Sequence, residues 1–219
     1  MKLYLIPAIL LFSTLTACDQ GQDNSSEEQT TQEMNITDQH SYSKPEEVVV
    51  KHLTLDLTVD FDNKQLSGSA ILDIENRTSA IKLILDTRDL DIKSVTLDDG
   101  SQAAYELADP EDFMGSKLTI NIKPDTRKVT VEYSTSPEAA ALQWLNPEQT
   151  EGGEHPFLFT QSQAILARTW IPLQDSPGVK FTYDATVRCP QGPVSYTHLR
   201  AHETYLLISY AVFCLKRGG

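Results

Sequence analysis

Two glutamines one residue apart carry the most suggestive chemistry in this 219-residue sequence: Gln161 and Gln163, in the stretch TQSQAILARTWIPLQDSP at residues 160–177. A strand over residues 160–164 places both carboxamides on one face, because strand side chains alternate with a period of two. A carboxamide neither titrates nor attacks; its oxygen accepts hydrogen bonds and its NH2 donates them. Such a row suits the lining of a cleft that holds a polar ligand. A solvated strand face carries the same residue types.

His198 and His202 stand at i and i+4, a spacing that can put two imidazoles on one helix face and bind zinc. A zincin writes H-E-x-x-H, with its general base directly after the first His. Here Leu199 holds that place and Glu203 follows the second His. The phrase YTHLRAHET resembles a translated sequencing adapter, and the text after Gly192 turns apolar and basic behind a strongly acidic body. Residues 194–219 are therefore expected to be a non-native tail, and no metal site is assigned to this chain.

Of the three cysteines, Cys18 closes Leu15-Thr16-Ala17-Cys18, behind Lys2 and a mostly apolar stretch at residues 3–15. That stretch has the length of a signal-peptide core and is too short to span a bilayer, which takes roughly 20 apolar residues. The four residues resemble the lipobox of bacterial lipoproteins, in which the cysteine is lipidated. Residues 1–17 are thus expected to be a lipoprotein signal peptide and Cys18 the lipidation site. The expected location is the bacterial cell envelope, anchored to a membrane at the periplasmic face or cell surface. Residues 18–44, rich in Gln, Ser, Thr and acid, offer little to bury and read as a disordered acidic tether. Cys189 and Cys214 are free to pair in an oxidising compartment, though nothing in their spacing requires it.

With 18 Lys+Arg against 31 Asp+Glu, the formal charge of -13 argues against nucleic acid as a partner.

The elements that must position the glutamines are strands. In HLTLDLTVDF, Leu53, Leu55, Leu57 and Val59 alternate with Thr54, Asp56, Thr58 and Asp60. DNKQ makes a turn and LSGSAILDIEN returns as the second strand of a hairpin. AIKLILDT and DIKSVTLDD follow, then SKLTINIKP and KVTVEYST, expected to pair as a hairpin around Pro124 and Asp125. PFLFTQSQA and VKFTYDATVRCP complete the set. Seven or more short strands without a long helix predict an all-β domain over residues 45–193. The expected form is a saddle-shaped double sheet, or β-sandwich, incomplete at its C-terminal end.

LDTRDLDIKSVTL (residues 85–97) and the run ALQWLNPEQTEGGEHPFLFTQSQAILARTWIPLQDSPGVKFTYDATV (residues 141–187) resemble the N-terminal domain of zinc aminopeptidases of the gluzincin type. This is the leukotriene A4 hydrolase / aminopeptidase N family, and the match is best to its leukotriene A4 hydrolase branch. Thr160-Gln161, Ala167-Arg168, Pro172, Asp175 and Pro177 fall where that family's signature places them. The resemblance implies that this domain lends a strand to the wall of the active-site cleft, with Gln163 meeting the free α-amine of a peptide substrate. Gln161 and Ala164 are its expected neighbours there. Arg168 is expected to be an internal ion-pair or carbonyl partner, Asp175 a turn former, and Trp144 and Trp170 core or interface aromatics.

The family's zinc ligands, H-E-x-x-H base, G-x-M-E-N loop and catalytic Tyr are absent from this sequence. The resemblance therefore implies a non-catalytic N-terminal part of a lipid-anchored metallopeptidase, a hydrolase whose zinc belongs to a missing zincin domain. A self-contained, lipid-anchored β-sandwich binding module without catalysis is the alternative.

Overall fold

Alternation builds the first element pair. The computed structural model describes residues 38–189 and 199–201, and in it β1 (Val48–Asp60) and β2 (Gln65–Asn76) form a long antiparallel hairpin. Leu53, Leu55, Leu57 and Val59 are buried on one face of β1, as their period of two requires. A register shift between Val50 and His52 resets the phase, so that Val48 and Val50 are buried too. Gly68 lets β2 approach β1 closely: a Cβ there would sit 2.0 Å from the Asp56 carbonyl oxygen.

The remaining strands are β3 (Lys82–Thr87), β4 (Asp91–Leu97), β5 (Tyr105–Leu107), β6 (Ser116–Asn121), β7 (Lys128–Ser134), β8 (Leu142–Leu145), β9 (Phe157–Thr160), β10 (Thr182–Arg188) and β11 (Leu199–Ala201). They form a six-stranded sheet in the order β11-β10-β1-β2-β7-β4, a three-stranded sheet β3-β6-β5 and the pair β8-β9. β10 runs parallel to β1; the other pairings are antiparallel. Helix is confined, among the described residues, to two single 3-10 turns at Pro147–Gln149 and Ala167–Thr169. The domain is all-β and sandwich-like, as its periodicity predicts.

One core joins the sheets. Leu53, Leu55 and Leu72 from the large sheet share it with Leu83, Leu85, Leu118 and Ile120 from the small one, and with Leu142, Leu158 and Trp170. Each such side chain contributes about 1.5–3 kcal/mol by leaving water.

Three expectations are corrected. β6 and β7 are not a hairpin, because they belong to different sheets. The link between them is a corner: the Thr126 amide donates to Lys123 O (3.0 Å), the Thr126 hydroxyl accepts from the Lys123 amide (2.9 Å), and Asp98 accepts from the Arg127 amide (2.9 Å). It carries the chain across the core to β2 and β4. The strand begun at Phe157 stops at Thr160, four residues short of Ala164. Residues 38–44, placed in the tether by their polar composition, are bonded into the domain: Ser41 and the Tyr42 amide both donate to Asp86, at 2.6 and 2.7 Å.

Candidate functional site

The two glutamines lie past the end of β9, on the turn that leads into the 3-10 turn Ala167–Thr169. Strand pairing carries on for one bond, from the Gln161 amide to Ala141 O (2.8 Å), and then the chain turns away. Ser162 is buried and its hydroxyl accepts from Trp170 Nε1 at 3.0 Å, while the Leu166 amide donates to Ser162 O at 3.0 Å. Buried Ser162, between half-buried Gln161 and exposed Gln163, continues the alternation of β9, in which Leu158 and Thr160 are buried, and the turn begins after it. The peptide bond between Gln163 and Ala164 is cis.

Gln161 and Gln163 are brought together, by a different bond than shared strand geometry would make. The Gln163 backbone amide donates to Gln161 Oε1 at 3.0 Å. Gln161 is half-buried, and Gln163 and Ala164 are exposed at the tip of the turn. The turn thus spends one carboxamide on its own backbone and presents the other outward.

Beneath it lies a buried charge network centred on Arg168, whose side chain is 0% exposed. Its Nε donates to Asp175 Oδ2 (3.1 Å), Nη1 to Met114 O (2.9 Å), and Nη2 to His40 O (2.7 Å) and Asp175 O (3.1 Å). Arg168 is thus both an ion-pair partner and a carbonyl partner, and the planar guanidinium serves several acceptors at once. Asp86, equally buried, stands 3.9 Å from Nη1 and accepts from Ser41 Oγ, the Tyr42 amide and the Asp175 amide. Asp175 is thereby more than a turn former: its carboxylate is the nearer counter-ion of Arg168.

Burial pushes the Asp175 carboxyl above its ordinary range, further than the opposing pull of Arg168 lowers it. Burial also raises Asp38, but the Ser176 hydroxyl, the His40 amide and the charges of His40 and Arg168 outweigh it and leave Asp38 below the usual range.

Trp170 is buried in the core, and its carbonyl accepts from Tyr133 OH at 2.9 Å. Trp144 is half-buried and meets Phe61 edge-on, with centroids 5.6 Å apart. Sequence reasoning did not single out Asp86, Ser41, Tyr42, Ser162 or Thr169. The one signal available for them was Asp86, an acid set in the apolar strand LILDT.

Against known proteins, the Peptidase M1 N-terminal domain matches residues 25–204. The chain belongs to the peptidase M1 N-terminal domain family. It is 40% identical over 162 residues to leukotriene A-4 hydrolase of Xenopus laevis, covering 71% of this chain and 26% of that protein. It is 35% identical over 173 residues to leucine aminopeptidase 2 of Saccharomyces cerevisiae, covering 76% and 25%. The structure of native yeast LTA4 hydrolase superposes with a TM-score of 0.68 at 34% identity, over 74% of this chain and 26% of that one. This M1 domain thus spans about a quarter of the length of the curated relatives it matches.

Among the described residues of this M1 domain, no three His, Cys, Asp or Glu side chains group to hold a metal. Cys18, His198, His202 and Cys214 lie outside the described residues.

Proposed function

We propose that this M1 domain is the N-terminal, non-catalytic part of a lipid-anchored zinc aminopeptidase and that residues 161–164 form one wall of its substrate cleft. Family membership supports the aminopeptidase reading. The observation that carries the wall assignment is the turn itself: Gln161 Oε1 holds the Gln163 backbone amide, and the Gln163 side chain and Ala164 are exposed beside each other.

A substrate's α-ammonium has three protons to donate, and the Gln163 carboxamide oxygen accepts one. Its NH2 serves a peptide carbonyl or carboxylate. Gln161 and Ala164 complete the wall, the one by bracing the turn and the other by leaving room. The zinc and the general base belong to a zincin domain that this sequence does not encode, so this chain's part is binding and orientation. Cys18 anchors the protein to a membrane of the bacterial cell envelope.

The test uses the complete aminopeptidase and aminoacyl substrates. Gln163→Ala is expected to lower kcat/KM by about 1–3 kcal/mol, the usual effect of removing a desolvated polar partner. Gln163→Glu should keep or strengthen binding of the cationic amine, because its acceptor is charged. Kinetics within error of wild type for both substitutions would remove Gln163 from the substrate wall.

A further inference from the structure

Residues 38–43 run across the buried Arg168–Asp86 pair and contact it at three points. His40 O accepts from Arg168 Nη2, Ser41 Oγ donates to Asp86 Oδ2 and the Tyr42 amide donates to Asp86 Oδ1, at 2.7, 2.6 and 2.7 Å. Tyr42 OH adds a bond to Gly115 O at 3.1 Å, next to the Met114 carbonyl that Arg168 also holds. Gly115 can come this close to β3 because it has no Cβ: one built there would lie 2.2 Å from Thr87 O.

From Arg168 the path to the glutamines is short. Thr169, the next residue, accepts the Ala141 amide on its hydroxyl at 3.1 Å, and Ala141 O receives the Gln161 amide at 2.8 Å. Trp170 holds Ser162, between the two glutamines. On its other side, the Arg168 carbonyl accepts from the Arg88 amide at 2.9 Å, tying the 3-10 turn to the end of β3.

We propose that residues 38–43 act as a strap: by closing over Arg168 and Asp86 they hold the 161–166 turn in its geometry, making Arg168, Asp86 and Tyr42 positioning residues for the substrate wall. The functional half of this statement rests on the wall reading above; the structural half does not. The strap reaches the turn through Ser41, Tyr42, Asp86, Arg168, Thr169 and Trp170, whose bonds are buried or partly buried. A charged bond inside such a network is worth more than a solvated one, so few bonds suffice.

Amide hydrogen exchange on the 219-residue chain tests the strap, since local opening is read residue by residue. In the Ser41→Ala/Tyr42→Phe double variant, exchange at Gln163 and Leu166 is expected to accelerate about tenfold, the scale of one lost bond. Leu55 and Leu72, in the core hairpin, should keep their wild-type rates. Unchanged rates at Gln163 and Leu166, or equal acceleration at all four amides, would overturn the strap's role. In the complete aminopeptidase the double variant should raise KM for aminoacyl substrates with little change in kcat. Faster exchange at the turn with KM unmoved would retire the substrate wall and leave the strap standing.

Discussion

The backbone amide of Gln163 rests on the side-chain oxygen of Gln161, 3.0 Å away, so the two glutamines are unequal partners. One shapes the backbone and the other is displayed by it. Their substitutions should separate accordingly. Gln161→Ala truncates a half-buried side chain and removes the acceptor of an exposed bond, and is expected to lower unfolding stability by about 0.5–1.5 kcal/mol. Gln163→Ala, at an exposed side chain, should leave stability within about 0.5 kcal/mol of wild type. Urea unfolding of both variants measures the difference; equal losses would mean that the asymmetry has no energetic content.

The Arg168 guanidinium is set between the buried Asp86 carboxylate and the partly buried Asp175 carboxylate. Arg168→Met is expected to destabilise the chain by about 3–5 kcal/mol, because Asp86 and Asp175 lose their shared counter-ion inside the protein. Arg168→Lys keeps the charge but cannot reach Asp175, Met114 and His40 together, and should recover only part of that loss. Thermal or urea unfolding compares the two.

Asp175 sets a pH dependence of definite sign. Its folded-state pKa is raised, chiefly by burial, above that of an unfolded aspartate. The folded state therefore holds this proton more tightly, and the associated stability is present below the unfolded pKa and lost as pH rises through the folded one. Wild type should lose stability relative to Asp175→Asn on going from about pH 4 toward neutrality. Denaturant midpoints of both proteins across that range provide the measurement, and a difference that grows in the opposite direction would reverse the assignment. Asp38, held low, works the other way: its contribution is present above the unfolded pKa and disappears as pH falls.

The anchor is tested at Cys18. Cys18→Ala should convert membrane-bound, detergent-soluble protein into an unprocessed or mislocalised form, and a fatty-acid analogue fed to cells should label wild type alone. Absence of label on wild type would end the lipoprotein reading.

Local pattern made much of this fold legible. Leu53, Leu55, Leu57 and Val59 alternate with polar residues, and the hairpin of β1 and β2 follows from that alternation and the intervening turn. The same reasoning paired β6 with β7, because periodicity identifies a strand without naming its neighbour. The end of β9 was equally hidden. Residues 161–166 contain no Gly, Pro, Asn or Asp, and Ser162 alone is a weak signal for a turn.

By itself the sequence determined the all-β class, the excess of negative charge, the family and the identity of the glutamines, since these depend on composition, short periods and ordered motifs. Only the tertiary structure decided what each does. His40 and Arg168 lie 128 positions apart and Ser41 and Asp86 lie 45 apart, distances over which no local propensity acts. Their meeting follows from sheets that share one core: burying the apolar faces brings Asp86 and Arg168 out of water together, and a buried charge must then find its partners wherever the fold has placed them.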